Sequence, residues 1–76
     1  MKLKVILRGP LSKYGNGRRE IMIEAHAGTR TGDLMNLLGI PAQSYSFISI
    51  RGMKAADDCE LEDNDVITVF PPVSGG

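Results

Sequence analysis

Few side chains in this sequence could carry out chemistry. The 76 residues include one histidine, one cysteine and no tryptophan. His26 falls at the polar phase of an alternating run, where a solvated imidazole is expected rather than a catalytic or metal-binding one. Cys59 sits beside Asp57, Asp58 and Glu60, whose negative charge opposes formation of a reactive thiolate. The carboxylates between Asp57 and Asp65 lack both the ligand spacing and the central glycine of a calcium loop, which leaves a solvated acidic segment and no metal site. No glycine pattern that could cradle a phosphate precedes a helix, and no bound cofactor is expected. What remains is the end of the chain, Pro71-Pro72-Val73-Ser74-Gly75-Gly76. An α-carboxylate is ionised at neutral pH and is a competent nucleophile toward an activated phosphorus. Gly75 and Gly76 offer the least bulk a backbone can have, so such an end can thread a narrow channel in another protein. The expected role is that of a substrate, with the reacting atoms at Gly76.

Presenting that end requires a body, and the hydrophobic periodicity supplies one. Lys2 to Arg8 alternates as a strand with Leu3, Val5 and Leu7 on one face. Gly9 to Gly17 is too rich in breakers for regular structure, and Asn16-Gly17 suits a turn with positive φ. Arg19 to His26 alternates again, with Ile21, Ile23 and Ala25 inward. After Gly28 the period changes, and Leu34, Leu37 and Leu38 form one stripe on a short helix. Thr29 or Thr31 can cap its start, Asp33 suits its first turn, and Gly39, Ile40 and Pro41 supply the stop. Tyr45 to Arg51 is a third strand, Gly52 turns the chain, the segment from Lys54 to Asp65 holds a short edge strand, and Asn64 marks a tight turn. Val66 to Phe70 is the last strand, ended by two prolines that cannot donate to a ladder. This order predicts an α+β domain over residues 1–70, a mixed sheet of four to five strands with one main helix across one face, followed by a tail over 71–76. Nine residues, Leu3, Val5, Leu7, Ile21, Ile23, Ile48, Ile50, Ile67 and Val69, are expected to form the sheet side of the core.

Composition narrows the partners. Nine basic residues balance nine acidic ones, so the excess of positive charge that marks nucleic-acid binding or docking on an anionic membrane is missing. No apolar run approaches the roughly 20 residues that span a bilayer. A single cysteine and no signal-peptide core make a reducing cytoplasm the expected compartment. The six residues of the tail, at about 3.3 Å each, reach roughly 20 Å. Their prolines should hold the base of the arm extended and clear of the sheet.

The run Asp65-Val66-Ile67-Thr68-Val69-Phe70-Pro71-Pro72-Val73-Ser74-Gly75-Gly76 resembles the ending of the small sulfur-carrying subunit of molybdopterin synthase, and more broadly of the family it shares with the thiamine-pathway sulfur carrier. Thr31-Gly32-Asp33-Leu34 with Leu37-Leu38-Gly39 is similar to that family's helix, and the element order resembles the β-grasp, or ubiquitin-like, fold over essentially the whole chain. The resemblance implies that a ubiquitin-activating-type enzyme uses ATP to adenylate the Gly76 carboxylate. A persulfide-bearing donor then converts it to a thiocarboxylate, whose sulfur passes to an acceptor held by the large synthase subunit. Departures from the family fall in turns: Arg51 stands before Gly52 where many members have Asn, Asn64 stands where Gly is common, and Gly9 to Arg18 is unlike the usual molybdopterin-type segment. A tungsten-cofactor, thiamine or other sulfur-transfer route stays open, as do a covalent protein modifier and a noncovalent interaction module.

Four apolar residues, Ile6, Met22, Phe47 and Phe70, fall on the polar phase of the strands. With the β-grasp strand order, Ile6, Phe47 and Phe70 should gather on the sheet face opposite the helix, beside the root of the tail. Together with Pro71, Pro72, Val73 and Ser74 they are the expected partner-binding residues.

Overall fold

The structure, a computed structural model, describes residues 1–73. Ser74, Gly75 and Gly76 lie outside the described residues. Five strands follow one another as β1 (Lys2–Leu7), β2 (Glu20–Glu24), β3 (Phe47–Ile50), β4 (Met53–Ala55) and β5 (Val66–Phe70), with one α-helix, α1 (Thr31–Leu38), between β2 and β3. They form one mixed sheet in the order β2-β1-β5-β3-β4. β1 runs parallel to β5 with Val5 opposite Ile67, and every other pairing is antiparallel. β4 is the short edge strand expected from its polar sequence. The first and last strands thus lie side by side at the centre, so the chain leaves the middle of the sheet.

One face of the sheet carries the core. Leu3, Val5 and Leu7 of β1, Ile48 and Ile50 of β3, and Ile67 and Val69 of β5 are buried beneath the helix. Ile21 and Ile23 share that face but remain half-buried, because β2 is an edge strand with packing on one side only. The helix contributes Thr31, Leu34 and Met35, with Leu38 packed at the margin. This corrects the expected stripe: Leu37 is 64% exposed. On a helix turning about 100° per residue, residues 31, 34, 35 and 38 make the inward stripe and position 37 falls outside it.

The helix cap also differs from expectation. Arg30 is the N-cap, and its backbone N–H donates to Asp33 Oδ2 at 3.0 Å. The two threonines serve elsewhere: Thr29 Oγ1 donates to the His26 carbonyl at 2.7 Å, and Thr31 Oγ1 to the Ala56 carbonyl at 2.5 Å. Thr31 therefore ties the helix to the acidic segment instead of closing its own end. The stop is as expected, with Gly39 left-handed at φ 74° and the Ile40 N–H returning to the Met35 carbonyl at 2.9 Å.

The segment after β1 is more regular than its glycines suggest. Gly9–Gly15 forms a 3-10 helix that buries Leu11, Asn16 then turns it at φ 56°, and Gly15 packs so close to Leu7 and Ile21 that a Cβ there would force those side chains to shift. A second such turn, Ala42–Ser44, leads into β3. Asn64 adopts φ 68°, as its place in a tight turn requires, and Arg51 takes φ 53° before Gly52. Arg51 gains compensation for that backbone: its guanidinium donates to both carboxylate oxygens of buried Asp65, at 2.9 and 3.0 Å. Asp65 also accepts from the Glu62 N–H at 2.7 Å, which fixes the loop just before β5.

Candidate functional site

The outer face of the sheet is built by the same alternation that fills the core. Side chains point to opposite faces along a strand, so Ile6, Thr68, Ser49 and Lys54 come into line across β1, β5, β3 and β4. The next row toward the chain end contains Arg8, Phe70 and Phe47. Phe47 faces Phe70 in register, and the two rings stack with centroids 4.4 Å apart and planes inclined by 14°. Both rings are half-buried, as is Ile6. The three apolar residues expected on this face are therefore on it, with Ile6 one pleat away from Phe70. Met22 shares the face but lies opposite Lys4 on the edge strand, 67% exposed and apart from the aromatic pair.

Two cations flank the rings. The Arg8 guanidinium carbon lies 5.6 Å from the Phe70 centroid, and Lys54 Nζ lies 5.5 Å from that of Phe47. A ring face is electron-rich, so each cation is attracted to the π-system while its polar head stays in water. Sequence reasoning missed both, since Arg8 and Lys54 meet the rings only once β1, β5, β3 and β4 are assembled.

The root of the tail is held more tightly than two prolines alone would hold it. Ser46 donates from its backbone N–H to the Phe70 carbonyl at 2.9 Å and from Oγ to the Pro71 carbonyl at 2.9 Å. Pro71 is half-buried, with its carbonyl held to the body by Ser46. Pro72 and Val73 are exposed, Val73 by 90%. Nothing in the sequence marks Ser46 for this task, because it acts on a residue 25 positions away. The roles expected of Ser74, Gly75 and Gly76 fall on residues outside the described ones.

The rest of the inventory offers no competing centre. Among the described residues no three His, Cys, Asp or Glu side chains converge as metal ligands, and no helix is long and apolar enough to cross a membrane. Cys59 is half-buried with Sγ 3.8 Å from the Glu60 carbonyl, and His26 is exposed. Tyr45 has its phenol pKa raised above 10.0, first by burial and then by the nearby Asp57 carboxylate. The Arg51 guanidinium is raised as well, chiefly by its hydrogen bonds to Asp65.

A five-stranded mixed sheet with central parallel β1 and β5, crossed by one helix, is the β-grasp architecture, and the chain is a ubiquitin-like protein in its fold. The model of the ThiS family matches residues 12–76, and the chain belongs to that family. Its fold is shared with SAMP1 from Haloferax volcanii, at 21% identity with all of both chains covered and a TM-score of 0.80. A Pyrococcus furiosus protein assigned as molybdopterin converting factor subunit 1 is 29% identical over 96% of this chain and 99% of its own, with a TM-score of 0.77. A structure from Helicobacter pylori, a complex of subunits 1 and 2 of molybdopterin-converting factor, matches at 23% identity over the full length of both chains, with a TM-score of 0.67. No curated protein matches the chain in sequence.

Proposed function

We infer that this protein is a sulfur carrier whose Gly76 carboxylate is converted to a thiocarboxylate and supplies sulfur for molybdopterin synthesis, in either the molybdenum or the tungsten cofactor. The observation that supports this reading is that, in a ThiS-family domain, the segment leading toward the chain end leaves the central strand β5 beside a stacked aromatic pair, with the Pro71 carbonyl held by Ser46. The 29% identity to the Pyrococcus furiosus protein over nearly the whole chain favours the molybdopterin branch over the thiamine one.

The chemistry follows from the weakness of a bare carboxylate as an acyl donor. A Gly76 oxygen attacks the α-phosphorus of ATP on a ubiquitin-activating-type adenylating enzyme, and pyrophosphate leaves. The acyl-adenylate now has a good leaving group. A persulfide sulfur attacks the carbonyl carbon and AMP departs, giving an acyl disulfide. A thiol then attacks the outer sulfur, leaving as part of a disulfide and releasing the thiocarboxylate. Ile6, Phe47 and Phe70 dock the body on the adenylating enzyme and then on the large synthase subunit, while Pro71 to Ser74 span the approach and Gly75 and Gly76 pass the narrowest part. A large-subunit partner is in keeping with the Helicobacter pylori structure, a complex of subunits 1 and 2 of molybdopterin-converting factor.

Reconstitution tests this directly. With the adenylating enzyme, ATP and a persulfide donor, intact-protein mass should show one oxygen replaced by sulfur, and deletion of Gly76 should abolish the change. Covalent transfer to lysines would instead produce high-mass conjugates, and that outcome would make the chain a protein modifier. If sulfur-dependent cofactor synthesis survives the deletion, the tail has no role.

A further inference from the structure

The chain is neutral in sum but not in arrangement. Lys2, Lys4, Arg8, Lys13, Arg18 and Arg19 all precede Glu20, the first acidic residue, whereas Asp57, Asp58, Glu60, Glu62, Asp63 and Asp65 share one stretch with no basic residue among them. Folding sends most of these to opposite ends. Asp63 Oδ1 accepts from the Lys2 N–H at 2.7 Å, and the carbonyls of Asp57 and Asp58 accept from Gly32 and Arg30 at the start of α1, so the acidic segment caps the end where β1 begins. Six strand residues at about 3.3 Å put the other end of β1 roughly 20 Å away. There Arg8 overlies Phe70, Arg19 lines the same shallow depression as Arg8 and Gly9, and Lys13 lies 5.3 Å from the Tyr14 ring centroid. The Tyr14 hydroxyl in turn meets Ser44 Oγ at 3.2 Å, which places this 3-10 segment beside the Ala42–Ser44 turn, two residues before the Ser46 that holds Pro71.

These cations are not spent within the molecule. Among the described residues the ion pairs are Lys4 with Glu20, and Arg51 with Glu62 and Asp65. Arg8, Lys13, Arg18, Arg19 and Lys54 form none, and all five are exposed. Unneutralised charge at the end of the sheet where Pro71 leaves β5 sets up a field that attracts an anionic surface, while the acidic far end orients the molecule in that field.

We propose that the cations at this end of the sheet, Arg8 and Lys54 over the aromatic rings, Arg19 beside Arg8, and Lys13 and Arg18 on the adjoining 3-10 segment and its exit, form a rim that is a steering and docking surface for a carboxylate-rich protein surface bordering the channel that receives the tail on the adenylating enzyme. The inference rests on the carrier reading and specifies the partner's chemistry. A protein surface fits better than a nucleic acid, because the cations nearest the rings flank an apolar aromatic pair instead of tracking a backbone, and the acidic end of a neutral chain repels a long polyanion. Steering of this kind acts mainly on the rate of encounter, bringing the tail to the channel already oriented.

The test is stopped-flow association of the full chain with the ubiquitin-activating-type adenylating enzyme of the same organism, followed from about 0.05 to about 0.5 M salt, a range over which screening removes surface fields. The wild-type rate should fall steeply with salt. Combined Arg18→Glu and Arg19→Glu should lower it about tenfold or more at low salt, with the difference closing at high salt. Lys2→Glu, at the acidic end, should leave it within about twofold. Lys13→Glu alone serves if the double variant fails to fold. A wild-type rate independent of salt, or equal losses from Lys2→Glu and the rim variants, overturns the rim. A low-salt dimer of the chain alone that disappears in the rim variant overturns it in favour of self-association. A wild-type chain that binds with the expected salt dependence but is never adenylated overturns the carrier reading, whereas adenylation with salt-independent binding overturns the rim alone.

Discussion

Truncating the aromatic pair separates its structural share from its docking share. Phe47 and Phe70 are each shielded over about two thirds or more of their surface, so each stands to lose about 1–2.5 kcal/mol of the roughly 1.5–3 kcal/mol that full burial of such a side chain contributes. The stack at 4.4 Å and 14° adds about 0.5–1.5 kcal/mol that exists only while both rings are present. Each single alanine variant should therefore cost about 1.5–4 kcal/mol, and the double variant should cost less than the sum of the two by the stacking energy. In a domain of this size that lowers Tm by about 6–32 °C per single variant. Folding should survive at moderate temperature, because the buried core on the other face is untouched. Denaturant unfolding of both singles and the double measures the coupling, and titration calorimetry with the adenylating enzyme measures docking, where each truncation should cost at least about 1 kcal/mol of affinity. A coupling below about 0.3 kcal/mol would show that the rings do not act as a unit. Unchanged affinity in both singles would remove the outer face from the partner interface.

Gly15→Ala should destabilise the fold by about 1–3 kcal/mol in urea unfolding, because a methyl group there would lie 2.9 Å from Leu7 Cδ1 and 3.1 Å from Ile21 Cγ2 beside a fully buried Leu7. Leu34→Ala should cost about 2–5 kcal/mol, whereas Leu37→Ser should stay within about 0.5 kcal/mol, a contrast that thermal unfolding of the two variants resolves. Tyr45 gives a pH signature. Its pKa is raised in the fold by burial and by Asp57, so its contribution to stability is complete below its unfolded value of about 10 and is lost as pH rises through the folded value. Tyr45→Phe should accordingly flatten the alkaline decline of the unfolding midpoint, and an unchanged decline would assign it to other groups.

Much of this protein is local information. Alternation in Lys2–Leu7 and Val66–Phe70, the Gly39-Ile40-Pro41 stop and the positive-φ turns at Asn16 and Asn64 are set by the conformational preferences of residues close in sequence, and the strand order made a sheet with one helix the economical packing. That Ile6, Phe47 and Phe70 belong to the face opposite the helix also follows from the period of a strand. Other features depended on which distant segments meet. Leu11 became core because the 3-10 turn folds back under the sheet, and Leu61 because the acidic loop closes over the start of α1. Thr31 bonds across to Ala56, so a residue that looked like a cap became a tether. Ser46, Arg8 and Lys54 reach the tail root or the aromatic rings only through the pairing of β1, β5, β3 and β4. The same holds for charge. Composition established that the chain is neutral, while the tertiary structure decided that Arg8 and Lys54 stand over the aromatic rings, with Arg19 beside Arg8, at the sheet end where Pro71 leaves β5, because electrostatic fields depend on where charges stand and a sum over the sequence carries no positions.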